Sequence, residues 1–338
     1  MLRALGSATS EKIAWRALGL LWILLIGFRH EVGCDWEPYQ TLYNSMIHTT
    51  GANLMPLLLN FDLGFVALNW VSAELGLSVY FVNTVCGLLM VLGLSKFCRN
   101  TSLPWLSWLV ATPYFLIVVG MGYARQAVAA GLLLWALVYL LQGRNRRYLW
   151  MVIAAATFHK WVLLFAVISA ASQVRWTMHM CVRAAIVVAL MLVGAWVFLN
   201  DMMLAILHEI NLYSGKVSSG AVPRMLISVL PALLFVFVLN RRDRKLDHHP
   251  IWKWLSFSSI ILVPFSGAIS TAVDRLVVYL IPLQLYIWPS LITSKTTLIS
   301  QALLGTIIVL FYGSLLFAWL AYSTHGHCWL PYNNILFV

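Results

Sequence analysis

Charge is what this chain has least of. Only 10% of its 338 residues are charged, with 11 Asp or Glu against 22 Lys or Arg. A soluble globule is excluded, because 62% hydrophobic residues and a mean hydropathy of +0.86 leave too little polar surface to cover a chain of this length. Glycine-rich nucleotide loops, a Ser-His-Asp order and nucleic-acid motifs are all missing, so the formal charge of +11 is not read as an affinity for nucleic acid. The five cysteines mostly fall within apolar runs, where they read as reduced packing residues. His248-His249 and His325-x-His327-Cys328 lack a partner set at a recognised ligand spacing, so no metal site is expected.

What is present is a succession of apolar runs near the twenty-residue length that a bilayer demands, joined by short polar segments. Backbone groups inside a bilayer must be satisfied within the chain, so these runs predict an all-α polytopic membrane bundle. It is expected to be one integral membrane domain over 1–338 with about ten or eleven spans. Arg3, Lys12 and Arg16 ahead of the first run, 17–28, predict a cytoplasmic N-terminus. Residues 29–76 are then external, and 63–76, which is short and carries Asn69 and Glu74, is expected as an amphipathic surface helix.

Runs 78–97, 102–120 and 123–141 alternate across the membrane, the last entering the basic joint Gln142–Arg147. The stretch 148–173 is interrupted at Phe158-His159-Lys160 and predicts two half-helices rather than one span. Run 184–199, an external loop over 200–222, and runs 224–240, 251–270, 274–293 and 297–320 complete the chain and leave its C-terminal tail outside. Cys34 and Cys328 then both lie outside, where an oxidising compartment would allow them to pair.

Most basic residues fall on cytoplasmic joints in this arrangement. Arg29, Arg125, Lys216, Arg224 and Arg275 are external, against the usual trend. Four of the five are arginines where an apolar helix meets the outer face, a depth at which a guanidinium requires an anionic partner. Any one of them reads equally well as an internal salt bridge, with Asp35, Glu31 or Asp274 as counter-ion. Together they fit a shared anion, and a pyrophosphate suits bidentate donors better than it suits lysines.

Asp35 and His159 are the candidate general bases, since a hydroxyl nucleophile must lose its proton to a group within hydrogen-bond reach. Beside Arg29, Asp35 stays ionised at neutral pH and is the preferred base. His159, with Lys160 next to it, is then a hydrogen-bond donor to acceptor sugar or pyrophosphate. Glu31 and Glu37 read as solvated loop charges.

Several short pieces, in order, resemble the EpsG family of Wzy-like polysaccharide polymerases over nearly the whole length. They are Gly27-Phe28-Arg29 with Val32-Gly33-x-Asp35-x-x-x-Tyr39, Asp62-x-Gly64-Phe65, Arg125-Gln126, Phe158-His159-Lys160, Asp274-Arg275 with Tyr279, and Trp329-x-Pro331-Tyr332. The family commonly has Glu-Pro-Gly where this chain has Asp62-Leu63-Gly64, and a small residue where it has Lys160-Trp161.

The resemblance implies a glycosyltransferase, GT-C-like in fold, joining oligosaccharide repeat units carried on undecaprenyl pyrophosphate. It would act at the external face of the bacterial cytoplasmic membrane without cofactor or metal, alongside a flippase and a chain-length regulator of the same pathway. Asp35 and His159 would be catalytic, and Arg29, Tyr39, Arg125, Gln126, Asp274 and Arg275 would bind substrate. A flippase of lipid-linked sugar is the rival class, though the paired halves common in transporters are not evident. A glycan ligase is the nearer alternative.

Overall fold

The structure, a computed structural model, describes residues 8–47, 62–173, 221–239, 249–268, 270–294, 297–323 and 325–337. These residues are helical except for turns and one isolated antiparallel bridge, Arg29 to Asn334. Run 184–199 and nearly all of the expected 200–222 loop lie outside the described residues. The described residues divide into two compact units, Met1–Leu163 with Gln284–Val338, and Leu164–Leu283.

The first unit contains α1 (Ala8–Gly27), α2 (Trp36–Ile47), α3 (Leu63–Glu74), α4 (Val79–Cys98), α5 (Pro104–Gly122), α6 (Ala124–Leu141) and α7 (Asn145–Phe158). Five helical stretches in the described chain are long and apolar enough to cross a membrane: α4, α5, α6, Val273–Thr293 and Leu298–Tyr322. The protein is accordingly a multi-pass membrane helical protein. Proline opens α5 at Pro104, where a missing N–H costs nothing. Pro113 then falls inside the same helix, and the segment Thr112–Val119 widens to π geometry.

α3 is the short helix expected over 63–76. At 12 residues it is too short to span, and it buries Phe65, Val66, Asn69 and Ser72 in packing against α2, α4 and α7.

Small residues govern how closely the long helices approach. α1 and α4 run antiparallel, with Trp15 Nε1 donating to Ser95 Oγ (2.7 Å) at one end and Gly27 against Thr84 at the other. Where α4 meets α6, a Cβ added at Gly131 would sit 2.5 Å from the Met90 Cα. Such backbone contact gains dispersion energy where lipid supplies no hydrophobic drive between helices. α6 is the centre of the unit, buried along nearly its whole length between α4 and α7.

The break expected near His159 is present. α7 stops at Phe158, His159 is extended (φ −160°, ψ 110°), and a short 3-10 turn, Lys160–Val162, follows. α8 (Leu163–Gln173) then leads into the second unit.

In that unit, α9 (Ala221–Leu234) contains Pro231 and passes into a π segment over Phe235–Leu239. The expected run 251–270 is not one helix. α10 (Ile251–Ile261) ends in turns over 262–264, where Pro264 has no N–H to bond Ile260 O and continue the ladder, and Phe265 N bonds to Leu262 O. α11 (Phe265–Ala268) and α12 (Ser270–Val277) follow. Met225, Val273 and Val277 form the buried core here, with Val229 and Leu262 packed on it.

Back in the first unit, α13 (Ile281–Thr293), from Gln284 onward, packs on α14 (Leu298–Tyr322) through buried polar groups. Trp288 Nε1 donates to Tyr312 Oη at 3.0 Å, and Tyr312 Oη donates to Gln284 Oε1 at 2.8 Å.

The packing generates a test. Gly131→Leu should remove the folded protein, with aggregation in fluorescence-detected size exclusion, because its Cβ would displace α4 backbone. Gly313→Ala, on α14 where an added Cβ meets no described atom within 4 Å, should elute as wild type.

Candidate active site

The loop between α1 and α2 is short, and its conformation is set by Arg29. This guanidinium is 1% exposed and donates through Nη1 to Ile26 O (2.5 Å), through Nε to Val32 O (3.3 Å) and through Nη2 to Asn83 Oδ1 (3.1 Å). It thereby satisfies a carbonyl left over at the end of α1 and ties the loop to α4. Burial lowers its pKa to about 10, so it remains cationic at neutral pH, helped by Tyr39, Tyr332 and Asp35 nearby. Arg29 therefore lies behind the loop, and Glu31 and Glu37 project to the exterior.

Gly33 has φ +95°, and its Cα faces the Met121 carbonyl and Gly122, so both the backbone angle and the space demand glycine. Two residues later Asp35 precedes α2, and its carbonyl accepts the helix's early bond from Tyr39 N at 3.1 Å. The Tyr39 side chain returns across this turn, Oη donating to Asp35 Oδ2 at 3.1 Å. Burial first, and then the Asp35 charge, raise the Tyr39 phenol above its ordinary pKa and keep it a neutral donor.

Tyr39 also hydrogen-bonds Arg125, at the first turn of α6. Arg125 Nη1 pairs with Asp62 Oδ2 at 3.1 Å, with both side chains mostly buried. The other oxygen, Asp62 Oδ1, accepts the Lys160 amide at 3.3 Å, an N–H released by the break after α7. Next to Arg125 on α6, Gln126 Nε2 lies 3.3 Å from His159 Nε2, with Gln126 6% and His159 3% exposed.

One connected set therefore runs from Asp35 through Tyr39, Arg125 and Asp62 to the Lys160 amide, with Gln126 and His159 on its flank. It draws on α2, α3, α6 and the α7 break. Among the residues expected at the site, Asp35, Tyr39, Arg125, Gln126 and His159 are brought together. Asp274 and Arg275 belong to the second unit, where Asp274 is in an ion pair with Arg224 on α9. Tyr279 of that unit is buried against Phe165, with ring centroids 5.5 Å apart.

Asp62 was absent from the expected site residues. The signal for it was already in the sequence, as a carboxylate at the mouth of an apolar segment with no basic neighbour in the chain. Of the histidine-cysteine run in the tail, Cys328 is bonded to Cys34, so its sulfur is committed to the disulfide. Cys86 and Cys98 are buried thiols. His248 lies outside the described residues.

The Arg125–Asp62 pair predicts a double-mutant signature. Asp62→Asn alone should cost about 3 kcal/mol by leaving a largely buried guanidinium without its counter-ion. Adding Arg125→Gln should recover part of that, with a coupling of about 1–3 kcal/mol in thermal or denaturant unfolding. Additive losses would show that the two side chains do not support each other.

The arrangement gathers a carboxylate, a neutral phenol, a held guanidinium and an imidazole at one end of the helices, a set suited to deprotonating a hydroxyl beside an anion. No curated protein and no solved structure matches the chain. The family profile named EpsG family matches residues 12–334, nearly the full length, and the protein belongs to the EpsG family.

Proposed function

We propose that this protein is a Wzy-like membrane polymerase: a glycosyltransferase that extends a surface polysaccharide from repeat units carried on undecaprenyl pyrophosphate. The observation that carries the proposal is the convergence of Asp35, Tyr39, Asp62, Arg125, Gln126 and His159, drawn from stretches far apart in the chain, into one polar set. Family membership supports the polymerase class, and the multi-pass architecture supports a lipid-borne substrate.

In the proposed reaction an acceptor sugar hydroxyl attacks the anomeric carbon of the donor chain. A new glycosidic C–O bond forms as the bond from that carbon to the pyrophosphate oxygen breaks, and the electron pair leaves with the lipid pyrophosphate. The hydroxyl proton passes to Asp35. Tyr39, donating to Asp35, holds the carboxylate in place, and Arg125, oriented by Asp62, faces the charge that grows on the leaving pyrophosphate. Donors fixed before the reaction contribute most here because no reorganisation is needed as the charge develops. His159, held by Gln126, donates a hydrogen bond to the acceptor sugar or pyrophosphate. Arg275 is proposed as a phosphate contact on the basis of its sequence position.

Two features support an external site. Disulfides persist in oxidising compartments, and the Cys34–Cys328 bond lies next to Asp35. The basic residues Arg144, Arg146 and Arg147 follow the far end of α6, about 25 Å from Arg125 by helical rise. Cytoplasmic joints collect such charge, so the Asp35 end is the outer one.

Reconstitution with a defined undecaprenyl-pyrophosphate-linked oligosaccharide tests the proposal. A ladder of lengthened products is expected, whereas movement of the lipid across the bilayer without lengthening would identify a flippase. Transfer only to a different acceptor would identify a ligase.

Asp35→Asn should lower single-turnover transfer by about 10²- to 10⁴-fold, while His159→Gln should lose about tenfold. The reverse order would make the histidine the base. Arg125→Lys should be nearly as damaging as Arg125→Ala, because the charge is kept and the planar fork is lost.

A further inference from the structure

The end of the chain returns to the Asp35 loop. Residues 325–335 form a strap that begins with a 3-10 turn, Gly326–Cys328, after α14. Against the loop, Gly33 N donates to Cys328 O (2.7 Å), His30 N to Asn333 O (3.0 Å) and Ile335 N to Phe28 O (2.9 Å). The Cys34–Cys328 disulfide adds a covalent tie across 294 residues of sequence. Cys34 is the residue immediately before Asp35.

The same strap also holds the end of α5, from which α6 is launched. Trp329, 2% exposed, donates from Nε1 to Ile117 O at 3.0 Å. Its ring lies against Gly122, where any Cβ would collide with it, and its centroid is 6.2 Å from that of Tyr123. Tyr123 is two residues before Arg125. Adjacent strap residues thus grip the two segments that bear Asp35 and Arg125, one through a disulfide and the other through an indole.

The loop's own hydrogen bonds, Trp36 N to Gly33 O and Tyr39 N to Asp35 O, set the start of α2 and do not reach α6. Tyr39, bonded to both Asp35 and Arg125, links them through its phenol, and Gly33 packs on the Met121 carbonyl and Gly122 just before α6. Base and anion donor must hold their separation closely, since a misplacement of about 1 Å can cost about 10²-fold in rate.

We propose that the C-terminal strap is a positioning element that sets Asp35 in register with Arg125, with Cys328 and Trp329 as its positioning residues. This rests on the reading of Asp35 as the base and Arg125 as the pyrophosphate contact. Neither strap residue touches the reacting atoms in this account. Cys328 acts through Cys34 on the carboxylate, and Trp329 acts through the end of α5 and Tyr123 on the guanidinium.

The test uses the full-length protein in proteoliposomes with undecaprenyl-pyrophosphate-linked oligosaccharide. The variants are Cys34→Ser with Cys328→Ser, Trp329→Phe, and Leu336→Ala as a control on an exposed residue beyond the strap. Loss of the disulfide should lower kcat by roughly 10- to 100-fold with KM for the lipid substrate within about twofold. Trp329→Phe, which keeps an aromatic side chain but loses the indole donor and part of the ring that packs on Gly122, should lower kcat several-fold, and Leu336→Ala should match wild type.

Amide hydrogen exchange provides a readout independent of turnover. In both strap variants protection should fall together at residues 33–39 and 123–127, while α4 keeps wild-type protection. Wild-type kcat in both variants, or exchange that rises at only one of the two segments, overturns the proposal. Should the disulfide variant fail to fold, Trp329→Phe decides by the same criteria. A wild-type protein that makes no polymer refutes the polymerase reading, and the exchange pattern still decides whether the strap couples the two segments.

Discussion

Arg125 is a full charge near the end of a buried helix, and the architecture around it follows from the cost of leaving that charge without an anion. Removing an isolated ion from water costs far more than a typical domain's net stability, so a guanidinium at this depth requires a counter-ion or a set of acceptor oxygens held within a few ångströms. Asp62 meets the requirement from 63 residues away. It brings α3, too short to cross a bilayer, onto the end of α6. Its second oxygen takes the Lys160 amide and secures the end of α7 as well. The second unit solves the same problem in the same way, with Arg224 of α9 paired to Asp274 of α12 across 50 residues.

Uncharged polar groups obey the same constraint. Gln284, Tyr312 and Trp288 complete one another's hydrogen bonds where α13 meets α14, and Ser107 donates from α5 to Leu285 O at 2.8 Å. Charged Arg29 meets the Ile26 carbonyl at the end of α1, the Val32 carbonyl of the loop and the amide oxygen of Asn83. Each such bond contributes only about 1 kcal/mol net, but an unmade one in an apolar surround costs more, so these residues decide which helices become neighbours. Glycine decides how near they come: the contact of Gly131 with Met90 leaves no space for any other side chain.

The proposed site is assembled from places where regular structure stops. Asp35 precedes α2, Asp62 precedes α3, Arg125 follows the break at Tyr123, and His159 is the extended residue that ends α7. Helix ends present backbone groups without intrahelical partners, and these are what polar side chains can engage in an otherwise apolar protein. A rigid helical frame with its chemistry at the breaks also lets one end differ in charge from the other. The Asp35 end carries the disulfide and the ion pair, and the opposite end of α6 opens into Arg144, Arg146 and Arg147.

Hydropathy and length alone determined that the chain is helical and lies in a membrane, because each span must satisfy its backbone internally and each such run is visible as a local composition. The starts of α4, α5 and α6, the short α3 and the interruption at His159 were legible for the same reason. The break at Pro264 was passed over because flanking apolar residues hide a single missing N–H from a hydropathy reading. Asp35, Tyr39, Arg125, Gln126 and His159 stood out as polar groups in apolar company, yet nothing local paired them. Asp62 needed Arg125 from a distant helix to acquire its role. Arg29 read from its position either as an anion contact or as half of a salt bridge, and only the folded loop enclosed it in carbonyls. The Cys34–Cys328 pairing was open to the sequence because both cysteines fall outside the apolar runs. Tertiary structure alone decided the other partnerships, since ion pairs and glycine contacts join residues tens of positions apart, and local sequence records the cost of a buried charge but not the partner that offsets it.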